Sequence, residues 1–83
     1  MDFKQTIAFV NLANTLDYQY AAKKSGITVD ELVRTIKALE NELNIKLIRL
    51  EGGVVELTEI GAKLLPLITE IAQKHAKLLS VVT

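Results

Sequence analysis

The 83-residue chain contains no cysteine, a single proline and no net formal charge. Without cysteine it forms neither a disulfide nor a thiolate-bound metal site, which is compatible with a reducing compartment. Its apolar runs are a few residues long, far below the roughly 20 residues needed to cross a bilayer. The first residues include Asp2 and Lys4 rather than an apolar signal core. We therefore expect a soluble cytoplasmic protein without a membrane segment.

The chain also lacks an excess of basic charge. Ten lysines and arginines face ten aspartates and glutamates, and the pI is about 6.6. Residues 1–58 have no basic surplus either. Neutralisation of phosphates supplies nearly all non-specific affinity for DNA, so this balance predicts weak DNA binding by the domain alone.

Patterns typical of catalysis are absent. The chain has no Gly-rich phosphate loop, no nucleophile next to a base and no cluster of metal ligands, so we expect no enzyme activity, no cofactor and no metal. His75 is the only histidine, and we expect a partly buried structural role, because no second ligand lies at helical spacing. Asp30 and Glu31 lie at the N-terminus of a predicted helix, where the helix dipole favours carboxylates, so we expect capping rather than acid–base chemistry.

What the sequence does contain is two helices joined by a tight turn. The first ends near Gly26, which can adopt the left-handed conformation of a helix stop. Thr28 and Glu31 then predict a capping box at the start of the next helix. Steps of four, three and four place its apolar residues on one stripe, namely Leu32, Ile36, Leu39 and Leu43. This arrangement is typical of DNA-binding proteins that insert the second helix into the major groove.

The remaining segments complete a winged helix-turn-helix. The predicted helices cover about 3–14, 18–24 and 28–43, two β-prone runs cover 46–50 and 54–57, and a long last helix follows Thr58. The glycine pair between the β-prone runs indicates a hairpin, which forms the wing. We expect a mainly α fold, in which the winged helix-turn-helix domain (1–58) and the linker and dimerisation helix (59–83) form one structural unit.

The last helix carries an apolar repeat with alternating steps of four and three, the spacing of a coiled-coil seam. Its members are Leu64, Ile68, Ile71, His75, Leu78 and Val82. In a monomer this stripe would face water, and its burial, worth about 25 cal/mol per Å², favours association with a second copy. We therefore predict a homodimer through this seam.

With these residues placed, the chain resembles the N-terminal DNA-binding domain of LysR-type transcriptional regulators, without a gap from Met1 to Leu65. The resemblance is carried by Phe9, Val10, Ala13, Tyr18, Ala21, Ala22, Leu32, Arg34, Ile36, Leu39, Glu40, Leu43, Leu47, Ile48, Val55, Leu57, Thr58, Glu59, Gly61, Leu64, Leu65 and Pro66. It implies a winged helix-turn-helix that binds double-stranded DNA and a following helix that joins two copies antiparallel. Family members continue into an effector-binding domain. This chain ends within the linker helix, as an isolated fragment or a free-standing dimeric module, and encodes no effector pocket.

The resemblance also implies which residues contact DNA. The corresponding positions are Thr28, Val29, Asp30, Val33, Arg34 and Lys37. Family members usually begin the recognition helix with serine and glutamine, so the amide that reads bases is missing at Val29. Asp30 can accept a hydrogen bond from a cytosine amine but repels phosphates. The arginine expected at position 50 is Leu50, and the wing tip carries Glu51 instead of basic residues.

Two hypotheses remain open from the sequence. The first is a homodimeric transcriptional regulator in which Arg34 and Lys37 contact base edges or phosphates. The second is a module of the same fold that does not bind DNA and pairs with other LysR-type regulators through its last helix. The acidic start of the recognition helix and the neutral wing motivate the second hypothesis.

Overall fold

The structure, a computed structural model, describes residues 1–83 and contains four helices and one β-hairpin. In chain order the elements are α1 (Phe3–Thr15), α2 (Tyr18–Ser25), α3 (Val29–Leu43), β1 (Ile48–Glu51), β2 (Val54–Leu57) and α4 (Glu59–Val82). The predicted winged helix-turn-helix with a long C-terminal helix is therefore confirmed.

A side chain caps the start of every helix, which explains where the helices begin. Asp2 and Gln5 form a reciprocal capping box, with hydrogen bonds of 2.8 and 3.1 Å. The box predicted at Thr28 and Glu31 is only half formed. The Thr28 hydroxyl accepts from the Glu31 amide at 3.1 Å, but the Glu31 carboxylate pairs with Lys4 at 3.1 Å instead of returning to the cap. The remaining caps are Asp17 and Thr58.

Left-handed residues end the helices and turn the hairpin. Gly26 (φ 72°) ends α2 and Asn44 (φ 57°) ends α3, both as the sequence predicts. Leu16 (φ 53°) ends α1, although a leucine carries no local signal for this conformation. Gly52 and Gly53 have φ values of 57° and 79° and form the two-residue hairpin loop, where a type I′ turn requires two positive values.

The core lies where α1 packs against the other three helices. Its largest fully buried apolar side chains are Phe9, Leu12, Leu32, Leu39 and Leu47. Ile68 joins them from α4 and is only 3% exposed. Because this core covers one side of α3, the opposite side of that helix remains free.

Two features fix the wing relative to α3 and α4. The buried Glu40 carboxylate accepts hydrogen bonds from the amides of Leu47, at 2.7 Å, and Ile48, at 3.1 Å. A Cβ at Gly61 would lie 2.3 Å from the carbonyl oxygen of Leu47, the residue before β1, so a glycine is needed for α4 to approach the start of the wing. These contacts hold β1 beside α3 and α4. No helix has the length and hydropathy that a membrane span requires.

Candidate nucleic-acid interface

The free side of α3 gathers three of the predicted DNA-contacting residues. Asp30, Arg34 and Lys37 are exposed and follow one another at steps of four and three, so they share one face. Asn41, four residues further on, lies on the same face and was not predicted, although its spacing could have revealed it. None of these four side chains takes part in the five ion pairs of the chain. The face is therefore a polar surface without internal partners.

The other three predicted residues lie beside this face. Val29 is 36% exposed and Val33 is half-buried, and both line a groove of about 360 Å³ between α3 and β1. Thr28 is exposed at the turn before α3, where its hydroxyl is already occupied as the helix cap. All six predicted positions are thus contiguous, but their chemistry differs between the polar face and the groove.

The groove has an apolar lining and a charged rim. Apart from the two valines, its apolar lining consists of Tyr18, Ile36, Ile48 and Leu50, and its charged residues are Lys37, Glu40 and Lys46. Leu50 is 61% exposed, so the groove opens to solvent along the wing. Burial of Tyr18, assisted by the negative charge of Glu40, raises the pKa of its phenol above the ordinary value of 10.0. The phenol is therefore neutral at physiological pH.

Positive charge is distributed unevenly although the chain is neutral. Of the ten basic side chains, four are in ion pairs, namely Lys4–Glu31, Arg49–Glu56, Lys63–Glu59 and Lys74–Glu70. The other six are Lys23, Lys24, Arg34, Lys37, Lys46 and Lys77. All but Lys77 belong to α2, α3 or the loop that follows α3. The charge balance of the sequence does not reveal this concentration of unpaired cations, because it depends on which side chains form ion pairs in the fold.

The wing contributes little free positive charge. Arg49 lies directly opposite Glu56 in the strand register, and the guanidinium donates to the carboxylate at 2.7 Å. This hydrogen bond and the neighbouring negative charge raise the pKa of Arg49. Leu50 pairs with Val55 on the other face of the hairpin, as strand alternation predicts. The wing therefore presents apolar side chains and Glu51 rather than a free cation.

The predicted dimer seam on α4 is divided between two environments. Ile68 lies in the core and Leu64 packs against it, so the core covers much of both side chains. The His75 ring is half-buried and stacks on Phe3 with its centroid 4.5 Å away and the planes tilted by 35°. The remaining members are exposed, namely Ile71, Leu78 and Val82.

A second apolar stripe runs beside that seam. Ile60 and Leu67 are exposed, and together with Ile71 and Leu78 they follow steps of seven, four and seven. At 100° per residue these steps keep the four side chains within roughly 40° of one another around the helix. Sequence reasoning missed Ile60 and Leu67 because a repeat of fours and threes fits two neighbouring registers of the same helix.

Comparison with known proteins gives a consistent result. The family model described as bacterial regulatory helix-turn-helix protein, lysR family, matches residues 3–62. A probable nitrogen assimilation transcriptional activator of Synechococcus elongatus is 38% identical over 74 residues, which cover 89% of this chain and 24% of that protein. The transcriptional regulator IlvR of Caulobacter vibrioides is 39% identical over 70 residues, which cover 84% and 24%. The chain therefore spans about a quarter of the length of these relatives.

Solved structures share the whole fold. The oxidized form of Corynebacterium glutamicum OxyR superimposes with a TM-score of 0.91 at 29% identity, covering 99% of this chain and 26% of that chain. The BenM DNA-binding domain in complex with catB site 1 DNA gives a TM-score of 0.85 at 25% identity, covering 96% and 86%. The match includes α4, since either alignment covers nearly all of the chain.

Proposed function

Because the chain belongs to the LysR family of bacterial regulatory helix-turn-helix proteins, we propose that it regulates transcription as a homodimer that binds double-stranded DNA. In this proposal α3 of each copy lies in the major groove, and the protein acts in the cytoplasm. The observation that carries the proposal is the free polar face of α3, on which Arg34 and Lys37 have no internal partner. The BenM domain in complex with DNA supports the same partner here.

The side chains of α3 have different roles in this complex. Arg34 is suited to a bidentate contact with guanine or to a phosphate, whereas Lys37 offers a point charge to a phosphate. Asp30 accepts from the amine of a cytosine and disfavours a base edge that carries only acceptors. Lys23 and Lys24 lie at the end of α2 and add positive charge for the backbone. Specificity therefore depends on the first turns of α3, and affinity on a few cations.

Dimerisation compensates for the small number of cations per copy. We infer that the exposed stripe of Ile60, Leu67, Ile71 and Leu78 packs against α4 of a second copy, because a 24-residue helix otherwise exposes these side chains to water. Two linked winged helix-turn-helix domains bind one duplex far more tightly than either domain alone. In such a dimer the recognition helices should lie one DNA turn apart, roughly 34 Å.

Sedimentation equilibrium tests the dimer. The wild type should sediment as about twice its 9.2 kDa mass at micromolar concentration, and Leu78→Asp should return it to a monomer, because a buried unpaired carboxylate is costly. Ser80→Asp is the matched control, since Ser80 lies on the opposite side of the same turn of α4. A monomeric wild type would refute the dimer.

Fluorescence anisotropy with duplexes enriched from a random library at low salt tests DNA reading. The double variant Arg34→Ala, Lys37→Ala should bind the enriched duplex at least about tenfold more weakly, in line with the loss of two charged contacts. Lys77→Ala, which removes an unpaired cation from α4, should bind like the wild type. DNA reading is refuted if no duplex is enriched, or if the wild type binds no better than the double variant.

One observation favours a second function, the module that pairs with other LysR-type regulators without binding DNA. Asp30 on the polar face of α3 and Glu51 at the wing tip take part in no ion pair, while Arg49 is paired with Glu56. Mixing the chain with a purified full-length relative separates the two functions. Mixed dimers that release the relative from its DNA support the second function, and self-dimers that bind DNA support the first.

A further inference from the structure

The groove beside the polar face of α3 has a lining that no charged contact explains. Val29 and Val33 lie one helical turn apart in the N-terminal half of α3, where recognition helices contact base edges. Leu50 faces them from β1. These apolar side chains gain nothing from contact with phosphates. Their burial is favourable only against an apolar group, and in DNA such a group must belong to a base.

We propose that this groove reads the 5-methyl groups of thymine, an inference that rests on the DNA binding proposed above. The thymine methyl is the one apolar group that an unmodified base pair presents in the major groove. Valine methyls neither donate nor accept hydrogen bonds, so they favour a base only by covering that methyl. The groove therefore prefers thymine over the other bases, and Val29 and Val33 determine this preference.

The rim of the groove favours a DNA edge over an apolar peptide as the occupant. Lys37 and Lys46 are outside the ion pairs of the chain and line the groove together with the valines. These cations are suited to the phosphates that flank a base in the major groove, whereas an apolar peptide brings no phosphates. The groove is also continuous with the polar face, because Lys37 belongs to both.

The other bases fit the valines less well. A cytosine lacks the methyl and turns its amine towards side chains that cannot accept a hydrogen bond, which leaves a desolvated donor unsatisfied. A purine carries no methyl group at its major-groove edge, so it offers the valines nothing apolar to cover. The enriched duplex should therefore carry thymine at one or two positions of each half-site.

Replacement of thymine by deoxyuridine tests the proposal, because it removes the methyl and changes no hydrogen bond. Each thymine of the enriched duplex is replaced singly, and the affinity of the wild-type chain is measured by anisotropy. At one or two positions we expect about fourfold weaker binding, the value of one buried methyl group. Since the protein is unchanged, misfolding cannot produce this result.

Variants then assign the effect to the groove. Val29→Ala or Val33→Ala should reduce the difference between thymine and deoxyuridine at the sensitive position, because residues in direct contact show a coupling energy in a double-mutant cycle. Val54→Ala, an exposed valine outside the groove, should keep the full difference. The inference fails alone if the enriched duplex is insensitive to every replacement, or if both groove variants retain the sensitivity. If no duplex is enriched, the proposed function fails as well.

Discussion

Helices α3 and α4 are constructed alike but leave different surfaces uncovered. Each begins at a threonine cap and each buries one stripe of apolar side chains in the same core. The free side of α3 carries Asp30, Arg34, Lys37 and Asn41, whereas that of α4 carries Ile60, Leu67, Ile71 and Leu78. Charged groups favour a charged, hydrated partner, whereas an apolar stripe is stabilised by burial. In the proposed function these two surfaces meet different partners, so variants on either helix should remove one partner without the other.

The largest expected effect separates the buried side of α4 from its free side. Ile68→Ala should lower the free energy of unfolding by about 3 kcal/mol, because it leaves a cavity in the core. Leu78→Ala should change it by less than about 0.5 kcal/mol when measured below the concentration at which the chain associates. Urea unfolding followed by circular dichroism measures both. Equal losses in the two variants would contradict the division of α4 into a core stripe and an interface stripe.

The two sides of α4 also show what its apolar repeat predicts and what it does not predict. The repeat from Leu64 to Val82 predicts correctly that one side of the helix is apolar. It does not reveal that Ile68 meets α1 of the same chain, because burial against one's own core and against a second copy require the same side chains. Only the position of α1, which ends near residue 15 and reaches α4 through its Phe3 end, distinguishes the two.

The next effect concerns the link between α3 and the wing. Glu40→Ala should lower the free energy of unfolding by about 2 kcal/mol, since it leaves the amides of Leu47 and Ile48 without their acceptor. Glu40→Gln keeps an acceptor oxygen and should lose less. The unfolding experiment above measures both variants, and faster hydrogen exchange at the two amides should accompany the loss. Exchange rates unchanged in Glu40→Ala would contradict this role.

The candidate interface was predictable only where its chemistry is local. Helix spacing places Arg34 and Lys37 on the outer side of α3, and capping chemistry places Thr28 at its start. The partners of Glu31 and Arg49 are different, because Lys4 lies 27 residues from Glu31 and the pairing of Arg49 with Glu56 depends on strand register. The free charge of the surface follows from such pairings, so composition alone does not reveal that the unpaired cations lie mainly on α2 and α3.

A smaller effect should appear in the salt dependence of DNA binding. If Arg34 or Lys37 contacts a phosphate, its replacement by alanine should reduce the slope of log K against log salt by about 0.9. If the variant keeps the salt slope of the wild type but loses the preference for one base, the replaced side chain contacts a base edge instead. Lys77→Ala on α4 should alter neither quantity. A reduced slope in Lys77→Ala would mean that α4 touches DNA and would remove the contrast between the two helices.

The smallest effect extends the contrast to the wing. Glu56→Gln removes the partner of Arg49, whose side chain then becomes available to a nearby phosphate. Because the pair is exposed and exposed pairs are weak, we expect binding at low salt to tighten by only about two- to threefold and the gain to disappear at high salt. Glu70→Gln is the matched control, since it frees Lys74 on α4 in the same way and should leave DNA affinity unchanged. A gain shared by both variants would reflect net charge alone, whereas a gain confined to Glu56→Gln would locate the DNA backbone beside the wing.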